Sequence, residues 1–183
     1  DVGYRYLLRV LEKEGHSQLI FDMNSRTDVP GYGYQLSKGA TSLTESWAGL
    51  RDVSNNHMML GHLMEWFFSS IGGIRQMPGS IAFNQILISP EIVGDITWAE
   101  TSIQTVHGEI SSFWKVSGND FSLKAKIPAN CRATIEMPQI DPEKIRENGI
   151  PVSSSENIRI EEISNGRLRL AVSSGEYNFT CPI

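Results

Sequence analysis

Cysteine is nearly missing from this 183-residue chain: only Cys131 and Cys181 occur. Two thiols cannot make a disulfide framework, and neither has zinc-ligand spacing with a histidine. An excess of positive charge is also lacking, with 16 Lys and Arg against 21 Asp and Glu and a net charge of −5. That removes the basic footprint expected of a nucleic-acid or anionic-membrane binder. A long apolar run is missing too, because the stretch from Met58 to Ile74 is broken by His62, Glu65 and two serines and falls short of a membrane span. There is no Gly-rich phosphate loop, no serine nucleophile elbow and no Cys/His pair of familiar spacing. No cofactor is implied, and a neutral, oligomeric or small polar ligand suits the composition better. The chain opens at DVGYRYLL without Met, which leaves its compartment unread.

What is present falls into two parts with different periods. Tyr4 to Glu14 carries Tyr4, Leu7, Leu8 and Leu11 at the spacing of an amphipathic helix, with Gly15 as its C-cap. A short antiparallel helix, Ser17 to Met23, is expected from a Ser N-cap. Asn24 to Lys38 shows no period and reads as a loop, where Gly31 and Gly33 alternate with Tyr32 and Tyr34. Those flat rings suit sugar as well as they suit packing. Thr41 or Ser42 is expected to cap a helix holding Leu43, Glu45 and Trp47, and Asn55 or Asn56 a longer one running to Ile71. On that helix His57 shares a side with Leu60, Gly61, Met64, Phe68 and Ile71, while Leu63, Trp66 and Phe67 cover the other. Only His62, Glu65 and Ser69 are left for water. Residues 1 to 50 supply too little cover for such a helix, so exposed apolar surface is expected around Leu60, Leu63 and Phe67. That surface calls for missing helical neighbours or a second copy of the chain.

After Gly72-Gly73 and Met77-Pro78-Gly79 the period becomes two. Phe121, Leu123, Ala125 and Ile127 alternate with polar residues, as do Cys131 to Met137, Leu168 to Val172 and Tyr177 to Cys181. Turn pairs such as Asn148-Gly149 and Asn165-Gly166 separate them. These are the marks of an antiparallel β-sandwich. Both cysteines lie on inward sets, which favours buried thiols over a bridge. Trp98, Phe113, Trp114 and Tyr177 can in principle meet sugar, but strand aromatics are more often core, and Trp114 is in register with Ile110 and Val116. Asp95, Glu100 and Glu109 are expected to face solvent.

Chemistry concentrates between Gly39 and Ile74. A carboxylate among aromatics and glycines, Glu45, can act as a general base if partial burial raises its pKa, with His57 orienting substrate. Spacing alone does not decide this, since a helical Glu is usually surface and a His on an apolar face is usually core. A metal set of His57, His62 and Glu65 is disfavoured, because two histidines five apart on a helix diverge by about 140°.

The segments GYGYQLSKGATSLTESW and SNNHMMLGHLMEWFFSSIGGI, followed by ISPEIVGDITWAETSIQTVHGEISSFWK and IPANCRATIEMP, resemble the C-terminal end of bacterial α-L-rhamnosidases, glycoside hydrolase family 78. The resemblance runs from about Gly31 to Pro138 and onward. It implies an α+β multidomain fragment: residues 1–76 as the last helices of an (α/α)6 catalytic barrel, and residues 77–183 as a C-terminal antiparallel β-sandwich. It implies hydrolysis of terminal α-L-rhamnose with inversion, Glu45 as general base, His57 on the sugar and Trp47 shaping the pocket. The implied partners are rhamnose-containing glycosides or polysaccharides, and the rest of the barrel or a self-associated copy. Inversion needs a second carboxyl as general acid. The family draws it from an earlier acidic segment that nothing here matches, so neither Asp52 nor Glu65 takes the role. Thr44 stands where many relatives carry Trp, which bears on pocket shape. Two other readings stay open, a non-catalytic carbohydrate-binding sandwich and an (α/α)6 glycosidase of another specificity.

Overall fold

The computed structural model describes residues 3–47 and 53–183. They divide into two compact units, residues 1–67 with 93–95, and residues 68–92 with 96–183.

The first unit is helical. Its α1 (Tyr4–Lys13) ends at Gly15, whose φ of +77° lets His16 N–H reach Leu11 O at 2.7 Å. Leu8 is the side chain of α1 that is fully buried, while Leu7 stays exposed. In α2 (Ser17–Ser25) Ile20 is fully buried. Ser17 is not its cap. The N-cap is His16 without a side-chain bond, and the Ser17 hydroxyl accepts instead from Trp66 Nε1 at 2.9 Å. Residues 93–95 lie against α2, with Gly94 N–H donating to Gln18 Oε1 at 2.9 Å. The expected loop over 24–38 contains a helix, α3 (Tyr32–Ser37). Gly33 hid it from a propensity reading, yet only glycine fits there, since a Cβ would stand 2.4 Å from Arg26 O.

Both helices expected beyond Gly39 are corrected. Residues 41–47 form no helix. Their backbone pairs with the chain after the undescribed 48–52 segment, through Glu45 N–H to Ser54 O and His57 N–H to Leu43 O, each 2.9 Å. Serine and threonine hydroxyls that bond nearby carbonyls compete with helix here, as Thr44 Oγ1 does with Ser46 O at 2.8 Å. Nor is 56–71 one helix. It is a 3-10 turn (Met58–Leu60), a short α4 (Leu63–Trp66) and a π turn (Phe67–Ile71). These breaks re-phase the side chains. Leu60, Leu63, Trp66, Ser70 and Ile71 are buried, and the apolar surface is Met58 at 88% and Met64 at 66% exposed, with Phe67 at 41%. Of the three residues expected to carry that surface, only Phe67 does. Glu65 is exposed and bonded to Arg5, while His62 and Ser69 are half-buried.

The second unit holds two sheets. One has five strands in the order β1 (Ile74–Gln76), β2 (Gln85–Ile88), β6 (Arg132–Met137), β10 (Arg167–Val172), β9 (Ile158–Ser164). The other has six, in the order β3 (Trp98–Thr105), β4 (Gly108–Ser117), β5 (Asp120–Ile127), β11 (Gly175–Pro182), β7 (Arg146–Glu147), β8 (Ile150–Pro151). This is the β-sandwich read from the alternation. All pairings are antiparallel except β2 with β6, which run parallel from Gln85 opposite Arg132 to Ile88 opposite Ile135. The inward sets are those the period gave: Phe121, Leu123, Ala125 and Ile127 on β5; Ala133, Ile135 and Met137 on β6; Leu168, Leu170 and Val172 on β10. Asn148-Gly149 and Asn165-Gly166 both take positive φ, the two-residue hairpin geometry that matches strand twist. Trp114 is core, stacked on Phe121 at 6.2 Å and donating from Nε1 to Ile71 O at 2.7 Å. Trp98 is exposed, as are Asp95 and Glu100, while Glu109 is half-exposed and pairs with Lys126. Cys131 and Cys181 are buried free thiols. Burial pushes the Cys181 thiol up to about 11 and raises that of Cys131.

Charges partly enclosed in this unit are tied by hydrogen bonds. Arg75 bonds Glu91 at 2.5 Å and Ser69 O at 2.9 Å, and Arg167 donates to Pro90 O and Glu136 O, both at 2.9 Å. Burial lowers the pKa of Arg167, with Glu136 and Glu91 opposing the shift. The two backbone acceptors make its role structural.

Candidate functional site

Glu45 opens a bend that it forms with Ser46. Thr44 before it is fully buried, while Glu45 is exposed. The half-buried carboxylate expected from sequence is thus not found in this chain. One oxygen is engaged, Oε2 accepting from Ser54 N–H at 3.2 Å, while Glu45 N–H donates to Ser54 O. Glu45 and Ser54 are bonded in both directions.

His57 enters on the same pairing through its backbone bond to Leu43. Its half-buried ring caps the 3-10 turn, with Nδ1 accepting from Met59 N–H at 3.1 Å. An accepting Nδ1 carries no proton, so the neutral ring holds its hydrogen on Nε2. That leaves Nε2–H as a donor suited to a hydroxyl oxygen.

Trp47 is placed differently. It meets Tyr4 at 5.0 Å and Tyr32 at 4.8 Å, both edge to face, and Tyr4 also packs on His62 at 5.3 Å. The Tyr32 hydroxyl donates to Leu60 O and that of Tyr4 to Asn24 Oδ1. Burial raises both phenol pKa values, so these hydroxyls stay protonated donors. Beside the cluster lies a 350 Å³ cavity lined by Tyr4, Met23, Asn24, Arg26, Pro30 and Trp47 among others, within the size range of small-ligand pockets. Glu45 and His57 do not line it.

Of the three expected site residues, the backbone pairing thus unites Glu45 with His57, while Trp47 belongs to an aromatic cluster. Sequence reasoning missed Tyr4, His62 and the buried Gln35. The Gly-Tyr alternation did flag Tyr32, but Tyr34 instead lies under Lys38 Nζ at 5.3 Å from its ring centre. His62 turns Nδ1 toward Met59 O at 3.1 Å. Among the described residues no group of three or more His, Cys, Asp and Glu is placed to hold a metal ion. No helix among them is long and apolar enough to cross a membrane.

Comparison with known proteins supplies the decisive observation. The bacterial α-L-rhamnosidase 6-hairpin glycosidase domain matches residues 1–71, and the bacterial α-L-rhamnosidase C-terminal domain matches residues 73–150. The chain belongs to the bacterial α-L-rhamnosidase family. It is similar to an α-L-rhamnosidase of Streptomyces avermitilis, 27% identical over 181 residues, covering 93% of this chain and 17% of that protein. One from Formosa agariphila is 29% identical over 152 residues, covering 80% of this chain and 16% of its own length. The solved α-L-rhamnosidase from Dictyoglumus thermophilum superposes with a TM-score of 0.86 at 29% identity, over 100% of this chain and 21% of that one. The Streptomyces avermitilis α-L-rhamnosidase complexed with L-rhamnose gives 0.84 at 25% identity, over 96% and 17%. The chain spans about a fifth or less of these relatives' lengths. The Glu45 to His57 pairing falls within the part matched by the rhamnosidase glycosidase domain.

Proposed function

We propose that this chain is the C-terminal part of an inverting α-L-rhamnosidase. Glu45 is its general base, His57 a sugar-binding donor and Trp47 part of the pocket wall. The observation carrying the reading is the Glu45 carboxylate held outward on the backbone pairing that also holds His57, inside the segment matched by the rhamnosidase glycosidase domain. Residues 1–76 are proposed as the last helices of an (α/α)6 barrel and 77–183 as the sandwich that follows, with β1 at the junction. The exposed Met58, Met64 and Phe67 are proposed to meet the rest of the barrel, or a second copy of the chain where that is missing.

In the proposed reaction Glu45 takes a proton from water as the water oxygen bonds to the anomeric carbon. The bond from that carbon to the aglycone oxygen breaks, and a general acid outside this chain protonates the departing oxygen. Attack from the face opposite the leaving group inverts the centre, which needs about 6.5–9.5 Å between the two carboxyls. His57 Nε2–H is suited to a sugar hydroxyl. The substrates are rhamnose-terminated glycosides or polysaccharides. The 183 residues alone should release no rhamnose, because a base without an acid leaves the departing oxygen unassisted.

Glu45→Gln in the full-length protein tests the reading. Turnover of an aryl α-L-rhamnoside should fall by about 10²–10⁴-fold with circular dichroism unchanged, and the parent's first product by NMR should be β-L-rhamnose. Parent-like activity in the variant would sink the assignment. The alternative of a sugar-binding sandwich acting through Trp114 is disfavoured by the complete burial of that residue.

A further inference from the structure

Gln35 on α3, at 4% exposure, and Thr44, at 0%, are buried polar side chains of the helical unit. They satisfy each other. Gln35 Nε2 donates to Thr44 Oγ1 at 2.6 Å and to Ser46 O at 3.3 Å, and Thr44 Oγ1 donates to Ser46 O at 2.8 Å. The residue between the two clamped positions is Glu45. The clamp is anchored at its far end as well, since Gln35 O accepts Ala40 N–H at 3.0 Å beyond the end of α3.

Residues 45 and 46 form a bend, and the Gln35 amide holds the residue on each side of Glu45, the buried Thr44 hydroxyl and the carbonyl of Ser46. Fixing both neighbours confines the exposed Glu45 side chain to the outer side of that bend. The residue at 44 therefore does not meet a ligand on the exposed side of the segment. We infer that Gln35 and Thr44 are positioning residues that aim the Glu45 carboxylate at its water, and that position 44 acts through Glu45 rather than by touching sugar. The inference rests on Glu45 being the general base.

The test compares four variants of the full-length protein. Thr44→Val keeps the shape and removes the hydroxyl, Gln35→Leu removes the amide, and Thr44→Ser restores the hydroxyl. Ser17→Ala is the control, deleting the buried bond to Trp66 elsewhere in the same unit. Thr44→Val and Gln35→Leu should lower kcat by about 10- to 100-fold with KM within about twofold, as misplacement of a reacting group does. Hydrogen exchange should quicken in the peptide spanning 43–47 and stay unchanged in α1. Thr44→Ser should stay within about threefold of the parent, and Ser17→Ala should keep its kcat. Parent-like kcat in Thr44→Val, an equal loss in Ser17→Ala, or a rise in KM at constant kcat would each overturn the positioning role. Full turnover by Glu45→Gln would remove the base assignment and the positioning role with it, and the exchange experiment would then report on the clamp alone.

Discussion

Replacing Trp114 by Phe separates packing from sugar binding in the sandwich. The indole is fully buried, stacks on Phe121, and donates its one hydrogen bond to Ile71 O at 2.7 Å. Phenylalanine keeps most of the stack and loses the donor. The orphaned carbonyl costs about 1–3 kcal/mol, and the space left by the smaller ring adds about 1 kcal/mol by analogy with other large-to-small core changes. The sum, about 2–4 kcal/mol, is a large share of the ~5–15 kcal/mol that holds a domain together. At about 4 °C per kcal/mol it lowers the melting point by roughly 8–16 °C. Trp114→Ala combines about 3–5 kcal/mol for truncation with the same orphaned carbonyl and can abolish folding, so Phe is the informative variant. Urea titration followed by far-UV circular dichroism avoids the confounding loss of a fluorophore, and an unchanged m-value confirms that only stability moved. Trp98→Phe, on an exposed edge-strand side chain, should stay within about 0.5 kcal/mol. The reasoning fails if Trp114→Phe also stays within that margin, or if it abolishes rhamnoside binding while the fold is intact.

Gly73 and Gly79 share positive φ, +76° and +79°, but a Cβ on Gly73 would stand 2.4 Å from Pro90 N whereas Gly79 has open space. Gly79→Ala should therefore cost about 1 kcal/mol for its conformation alone, and Gly73→Ala at least twice that; equal midpoints in urea would refute the clash. Cys131 and Cys181 should resist iodoacetamide at pH 8 in the native state and react once unfolded, with mass spectrometry as the readout. The raised Cys181 pKa favours the protonated thiol in the folded state. Its stabilisation is complete below the ordinary value near 9 and is lost as pH rises through about 11. A midpoint flat across that window in the parent, or equally steep in Cys181→Ala, would refute the assignment.

Much of the sandwich was legible because a period of two needs only local information. Phe121 to Ile127 and Leu168 to Val172 face inward by alternation, and Asn-Gly pairs can take the positive φ that a tight hairpin requires. Alternation did not reveal the parallel β2 and β6 pair, since partner choice is set by distant chain. The helical unit was less legible. A helical period fitted to 56–71 failed because the stretch is a 3-10 turn, a short α-helix and a π turn with no common phase: Leu60 and Leu63 are buried across the first break, Met58 and Met64 stay outside, and the π turn shifts only the residues from Phe67 onward. Glycine at 33 argued against α3, yet close approach to Arg26 required it.

By itself the sequence determined which chemistry is present: the Glu45 carboxylate and the His57 imidazole in segments that resemble rhamnosidases, and two thiols on the inward sets of later strands. Residue type and short-range spacing carry that information. Tertiary structure alone decided direction and company. Backbone bonds between segments up to fourteen residues apart stand where a helix was expected, and the folded chain leaves Glu45 exposed, aims Met59 N–H at Nδ1 of His57, and seats Trp47 among tyrosines. Each outcome depends on which donors and acceptors meet across the chain, and no local period encodes that meeting.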